Sequence, residues 1–228
     1  MHRLFIIVIA ALVLGACTTT NTRQATLVQT PAPGAVVLIV EPDIQLALLT
    51  AAGLSEPRAD WTEAGTTNLQ AAIQRSLASS AHTFRGVSGD EVLEGDNGQL
   101  IRLHEAVGQS ILFFDYGLHK LPTKQGTFDW TLGEGAAGLA ETYGADYALF
   151  TYGRGTYASG GRVATAVALA AFGVGVPLGQ QQLFASLVDL RTGQVIWFNY
   201  AVAGPQADMR EVEGADSLVA SIMTDSPL

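Results

Sequence analysis

The sequence predicts an α/β fold: a mixed sheet sandwiched by helices, with a C-terminal β-hairpin. An α+β arrangement is the variant left open. Three observations carry this. VVLIVEPDI at 36–44 is apolar on both faces, as a central strand covered on both sides must be. Two stretches, 60–81 and 100–114, repeat apolar residues at helical spacing. Two β-rich runs flank the turn 189–193, whose glycine supplies a positive φ for a bulged hairpin.

In chain order, the first strand stops at Pro42, which cannot donate to a ladder. Asp60 with Glu63 three residues on reads as a capping-box variant opening a helix. Behind it Trp61, Leu69, Ile73 and Leu77, with Ala64 and Ala72, form one stripe to about residue 81. After the turn-forming EGDNG at 94–98, Leu100, Leu103, Val107, Ile111 and Phe114 mark a second helix, with FFDY left open as a strand. Residues 136–143 form a short helix with Gly144 at its C-cap, and 146–157 a strand. The hairpin 183–203 follows, and 209–223 ends with a short helix. Trp61, Trp130 and Trp197 each lie within apolar pattern and are expected in the core. No internal repeat is visible.

The N-terminus carries an address. MHRLFIIVIAALVLGA has a basic start at Arg3, an apolar run over 4–13 and small residues at Gly15-Ala16, the layout of a secretory signal. It is too short for a span, which needs about 20 apolar residues. Leu14-Gly15-Ala16-Cys17 resembles the lipobox of bacterial lipoproteins. The resemblance implies cleavage before Cys17, a diacylglycerol thioether on its thiol and an acyl group on its new amino group, three chains in all. Thr18, not Asp, follows the cysteine, and in that family this favours the outer membrane, periplasmic face. As Cys17 is the only cysteine, no disulfide within the chain is possible.

The expected organisation is a signal peptide at 1–16, lipidated Cys17 with a Thr/Pro/Ala-rich flexible tether to 35, and one globular domain over 36–228. Without the leader, 11 basic side chains face 21 acidic ones. A net charge of that sign repels nucleic acid and anionic headgroups, so neither is expected as a primary ligand. Only 14% of residues are charged and 48% are hydrophobic, enough to bury a sizeable core.

YGADYALFTYGRG at 143–155 resembles the helix–Gly-Ala-Asp–strand signature of the curli-secretion-type and TolB N-terminal-type α/β envelope modules. LVDLRTGQVIWFN at 187–199 is similar to the Asp-x-x-Thr-Gly-x-x-x-Trp hairpin of the same lipoproteins, and VEPDIQLALLTAAGLSEPRADWTEAG resembles uncharacterised proteobacterial members. These are turn and packing signatures. They imply architecture and a role class, a non-enzymatic accessory in envelope assembly or export acting through other envelope proteins or self-association. A periplasmic binding module for a small or polymeric envelope ligand is the alternative.

Chemistry-bearing patterns are sparse. His82, His104 and His119 are too far apart for an i, i+4 metal pair, and His104 is expected as a solvated helix residue. No G-x-S-x-G elbow occurs; Ser79-Ser80 and Ser159-Gly160-Gly161 are the nearest small-residue clusters. Gly153-Arg154-Gly155 lacks the third glycine of a dinucleotide fingerprint, so the glycines read as a close backbone approach in a strand. Arg154 and Arg162 flank that region and leave an anion site open. No catalytic set, metal or cofactor is therefore expected. VATAVALAAFGVGVPLG at 163–179 is uncharged and apolar but broken by Gly173, Gly175 and Pro177. A buried helix and turn is the expectation; an exposed patch for self-association or a partner, and membrane insertion, are the other two readings. In curli-secretion channels a module at a comparable place supplies membrane-crossing strands, but the alternation of barrel strands is missing here.

Overall fold

Strand β1 (Thr19–Gln24) begins the chain as the computed structural model describes it, over residues 19–24, 30–93, 96–124, 126–203 and 207–228. Cys17 and the leader lie outside the described residues. The sequence reading puts 19–24 within the tether; their backbone pairs antiparallel with a late strand, Thr19 opposite Val202 and Gln24 opposite Trp197.

The VVLIV run forms β2 (Val36–Val40), buried from its second residue on. The ladder breaks at Glu41-Pro42 and resumes as β3 (Asp43–Leu49), which turns back into the short β4 (Ser55–Pro57). Helix α1 (Ala59–Leu77) follows, burying Gly65, Leu69, Ala72, Ile73 and Leu77 along one face. The capping-box expectation fails: the N-cap residue is Arg58, without a side-chain cap. Asp60 lies in the first turn, bonded to the Arg58 guanidinium at 2.6 Å. An acidic residue there still suits the positive end of the helix dipole.

Strand β5 (Thr83–Val87) pairs parallel with β2. Helix α2 (Gly89–Leu93) leads to α3 (Asp96–Ile111), which runs into a π-helical turn at Leu112–Tyr116, so FFDY is helical rather than a strand. A 3-10 turn (Glu134–Ala136) and α4 (Ala137–Tyr143) precede β6 (Tyr147–Ala158). Gly144 takes the expected left-handed cap, φ 59° and ψ 44°. Helix α5 (Gly160–Ala170) separates β6 from β7 (Gly179–Asp189), which forms a hairpin with β8 (Val195–Ala203) before α6 (Val212–Ile222). At the hairpin turn Asp189 Oδ1 accepts from the Arg191 and Thr192 amides at 2.8 and 3.2 Å, and Gly193 has φ 72°.

The sheet is mixed, in the order β1-β8-β7-β6-β2-β5. Strand β6, 12 residues long, serves two parallel neighbours in succession. Its start pairs with Val37, Leu38 and Ile39 of β2, and its residues 152–158 pair with β3. Helices cover both faces. On one, α1 and α6 lie over Ile39, Ile44, Leu46, Leu149, Leu183, Leu187 and Trp197. On the other, α3, α4 and residues 128–136 cover Leu38, Val40, Phe150, Tyr152, Phe184, Val188 and Phe198. Trp197 is fully buried, Trp130 nearly so, and Trp61 packs edge-on to Tyr157.

Candidate functional site

The second half of β6 has two chemically different faces. Gly153 and Gly155 point toward the α1 layer, where a Cβ on either would come within 2.8 Å of Ile44 and Leu183, or of Leu46. The glycines are thus a close-approach device, as the sequence indicates, and not a nucleotide loop. The alternate residues Tyr152, Arg154 and Thr156 point the other way, in register with Asp43, Gln45 and Ala47 of β3.

Arg154 is the hub of that face. Its guanidinium lies 3.8 Å above the Tyr152 ring, donates to the Asp43 backbone carbonyl at 3.0 Å and to Asp43 Oδ1 at 3.1 Å, and reaches Glu105 Oε1 at 3.7 Å. The Tyr152 hydroxyl donates to the same Glu105 oxygen at 2.8 Å. Burial, reinforced by that hydrogen bond, raises the Tyr152 pKa, so the phenol stays a donor. Glu41 is fixed by the Gly89 amide, which donates to its Oε2 at 2.5 Å.

Two clefts meet at Arg154. One, about 410 Å³, lies outside the carboxyl ends of β2 and β5 and is walled by Glu41, Asp43, Ile101, Arg102 and Glu105. Open α/β sheets characteristically leave crevices there. The other, about 450 Å³, runs past Gln45, Ala47, Pro57, Arg58 and Thr156. Together they make a groove whose floor is sheet, whose central wall is held by ion pairs, and whose second half is lined mainly by the apolar Leu46, Ala47, Pro57 and Ala59. Arg162 takes no part in it. That side chain lies at the base of α5, where Nε donates to the Pro177 carbonyl at 3.1 Å. The two arginines flanking 153–162 therefore have separate partners: Asp43 and Glu105 for Arg154, the Pro177 carbonyl for Arg162.

His104 corrects the sequence reading. It is buried, not solvated: Nε2 meets Ser186 Oγ at 2.5 Å and the ring stacks on Phe150 at 4.6 Å. Burial lowers its pKa to about 3. A serine beside a histidine has the outline of a nucleophile and its base, yet both side chains are buried and neither lines either cleft. His119 stacks on Phe113, and no cluster of three His, Cys, Asp or Glu suited to a metal occurs among the described residues.

A second polar cluster, unforeseen in the sequence, fixes the chain before α6. Gln181 Oε1 accepts from the Tyr157 hydroxyl at 2.6 Å and the Met209 amide at 3.0 Å. The Arg210 guanidinium covers Tyr157 at 3.8 Å and Trp61 at 4.3 Å while paired with Asp208. Burial, with Asp208 adding to it, drives the Tyr157 pKa upward. These side chains hold structure together.

The 163–179 segment overturns the buried expectation. No residue of α5 is buried; Val163, Val167, Leu169, Phe172, Val174 and Leu178 are all exposed. Ser159 caps the helix by accepting the Arg162 amide at 3.1 Å. No helix among the described residues is long and apolar enough to cross a membrane.

Fold and site thus define a three-layered α/β domain with a groove around Arg154 beside its central strand and an apolar arm at one end. No family model and no curated relative matches the chain. Among solved structures it is similar to the PelC dodecamer from Paraburkholderia phytofirmans, at 15% identity and TM-score 0.39, covering 92% of this chain and 96% of that one. Lipoprotein GNA1162 from Neisseria meningitidis is similar at 14% identity and TM-score 0.33, over 74% and 81%. The LpoB C-terminal domain from Salmonella enterica is similar at 18% identity and TM-score 0.29, over 78% and 86%. At these values the likenesses assign no residue a role.

Proposed function

We propose that the chain is a periplasmic lipoprotein, held at the outer membrane by acyl chains on Cys17, that serves envelope assembly or export by protein contact rather than catalysis. The lipobox residues Leu14-Gly15-Ala16-Cys17 support the anchor. One acyl chain binds a bilayer only marginally, and each further buried methylene adds about 0.8 kcal/mol, so three hold permanently. The observation that carries the contact role is the Arg154 groove. It is pre-formed, floored by sheet, and combines a charged wall with apolar lining, so an extended segment of a partner can bind without ordering its walls first.

The test is twofold. Intact mass of the membrane fraction should show a triacylated chain beginning at Cys17, and Cys17→Ser should lose the acyl mass and the membrane location. A photo-crosslinking residue at Gln45 or Thr156, in living cells, should trap discrete partners that the same residue at exposed Glu141 on α4 does not. Equal patterns at the three positions would sink the contact role. The cleft carboxylates and Arg154 also favour a second reading, a polar envelope ligand in the same groove. In that case a ligand would raise the melting temperature of wild type and not of Arg154→Met.

A further inference from the structure

Beyond Arg162, helix α5 carries only Val, Ala, Leu and one Thr, and so apolar a helix surface belongs in a protein core or in a membrane. The core of this domain does not take it: Val167 in the helix is 69% exposed and Phe172, just past its end, 82%. No charged residue occurs from Val163 to Val188. The base of the arm is nonetheless well fixed. The Ser159 amide donates to the Leu49 carbonyl at 2.9 Å and the Ala158 amide to the Leu178 carbonyl at 3.0 Å, while Arg162 ties the helix start to Pro177. The apolar surface is therefore presented from a rigid mount rather than carried on a slack loop.

Strand register says what lies opposite it. Strand β1 runs antiparallel to β8 with Thr19 beside Val202, and Val202 faces Gln182 of β7, which faces Arg154 of β6. Following β1 backward from Thr19 leads toward the end of the sheet where β6 ends at Ala158 and β7 begins at Gly179. That is the end from which α5 projects. Only Thr18 separates Cys17 from Thr19, about 7 Å of extended chain. Three strand spacings, about 14 Å, separate β1 from β6. A bilayer held at Cys17 thus meets this end of the molecule first.

We infer that the α5 arm is a second membrane contact: its apolar residues enter the hydrocarbon of the same leaflet that holds the Cys17 acyl chains, with Arg162 at headgroup level. The arm enters one leaflet and does not cross. Its 11 residues rise about 16 Å, half the hydrocarbon thickness of about 30 Å. The pairing of anchor and arm fixes the domain's orientation, which a single flexible attachment does not. Binding needs no anionic lipid, because the arm contributes apolar area and the mature chain is acidic.

The inference rests on the Cys17 anchor proposed above. The test uses the full, processed chain in vesicles of phosphatidylethanolamine and phosphatidylglycerol. An environment-sensitive fluorophore is placed on Phe172→Cys or, as control, on Glu141→Cys, and nitroxide-labelled lipids serve as quenchers. Expected is a blue-shifted emission at 172 that loses most of its intensity to acyl-chain nitroxides, with none lost at 141. In chain whose mass confirms acylation, an unquenched, water-like label at 172 overturns the inference and leaves the anchor standing. A blue-shifted label that nitroxides do not reach means protein covers the arm, a second copy included, and also overturns it. If the mass shows no acyl chains, the anchor reading fails by itself, and quenching on added vesicles still decides whether the arm takes lipid.

Discussion

His104 Nε2 and Ser186 Oγ lie 2.5 Å apart across the interface between α3 and the sheet, under the ring of Phe150. Burial keeps this imidazole neutral, with its pKa lowered from 6.5 to about 3. Between those two values the unfolded chain binds the additional proton, so the contribution to stability is complete above about pH 6.5 and is lost as pH falls toward 3. The loss runs at up to about 1.4 kcal/mol per pH unit. Urea unfolding of wild type and His104→Gln between pH 7.5 and 4.5 should show a steeper decline for wild type; parallel curves would refute it.

Gly108 sits mid-helix, where alanine ordinarily gains about 1 kcal/mol in propensity. Here a Cβ would stand 2.3 Å from the Phe184 ring. That ring is stacked on Tyr152 at 4.6 Å and tilted against Phe198 at 5.4 Å, so it cannot retreat. Overpacking, about 1–3 kcal/mol, outweighs the propensity gain. Gly108→Ala should therefore lower the urea midpoint, and a raised midpoint would show the ring to be mobile.

The Arg154–Asp43 pair is worth little as a stabiliser, since its side chains are 25% and 34% exposed. A double-mutant cycle with Arg154→Met and Asp43→Asn should give a coupling of at most about 1 kcal/mol. Arg154→Lys keeps the charge but loses the planar stack on Tyr152 and the fork to two carboxylates. It should abolish any groove-dependent crosslink nearly as fully as Arg154→Met.

Serine at Val167 and Phe172 should change unfolding free energy by less than about 0.5 kcal/mol, because neither is packed against the domain. Leu46→Ala, at a core position 1% exposed, should cost about 2–5 kcal/mol. Arm variants that melted early would mean that α5 supports the fold.

The readable parts of the sequence are those where local chemistry and tertiary demand agree. The Asp189 turn, the Gly144 cap and the VVLIV strand each need one backbone geometry and carry the residues for it. Helix α3 shows the opposite. Its apolar residues suggest a stripe through Leu100, Leu103, Val107 and Ile111, yet Leu103 is exposed and the buried line runs Leu100, His104, Gly108, Ile111. The helix approaches the sheet through a glycine and a hydrogen-bonded histidine, neither of which registers as hydrophobic. The arm misled for the reverse reason: its composition is that of a core, but composition does not say whose core. Of the groove, only Arg154 drew notice in the sequence, because Asp43 and Glu105 lie 111 and 49 residues before it and meet it only through the β3–β6 pairing and the placement of α3.

Strand β6 has a consequence in time. It is the common neighbour of β2 and β3, and its residues pair with partners some 110 positions earlier, Tyr147 with Val37 and Tyr152 with Asp43. Until β6 exists, β2 has only β5 beside it and β3 only β4. At a synthesis rate of about 5–20 residues per second, that interval is about 5–20 s. Closure across so long a loop then places folding in the slow, millisecond-to-second regime of non-local sheets. The first half of the chain thus waits, apolar and paired on one side only, for the strand that will join it to the second.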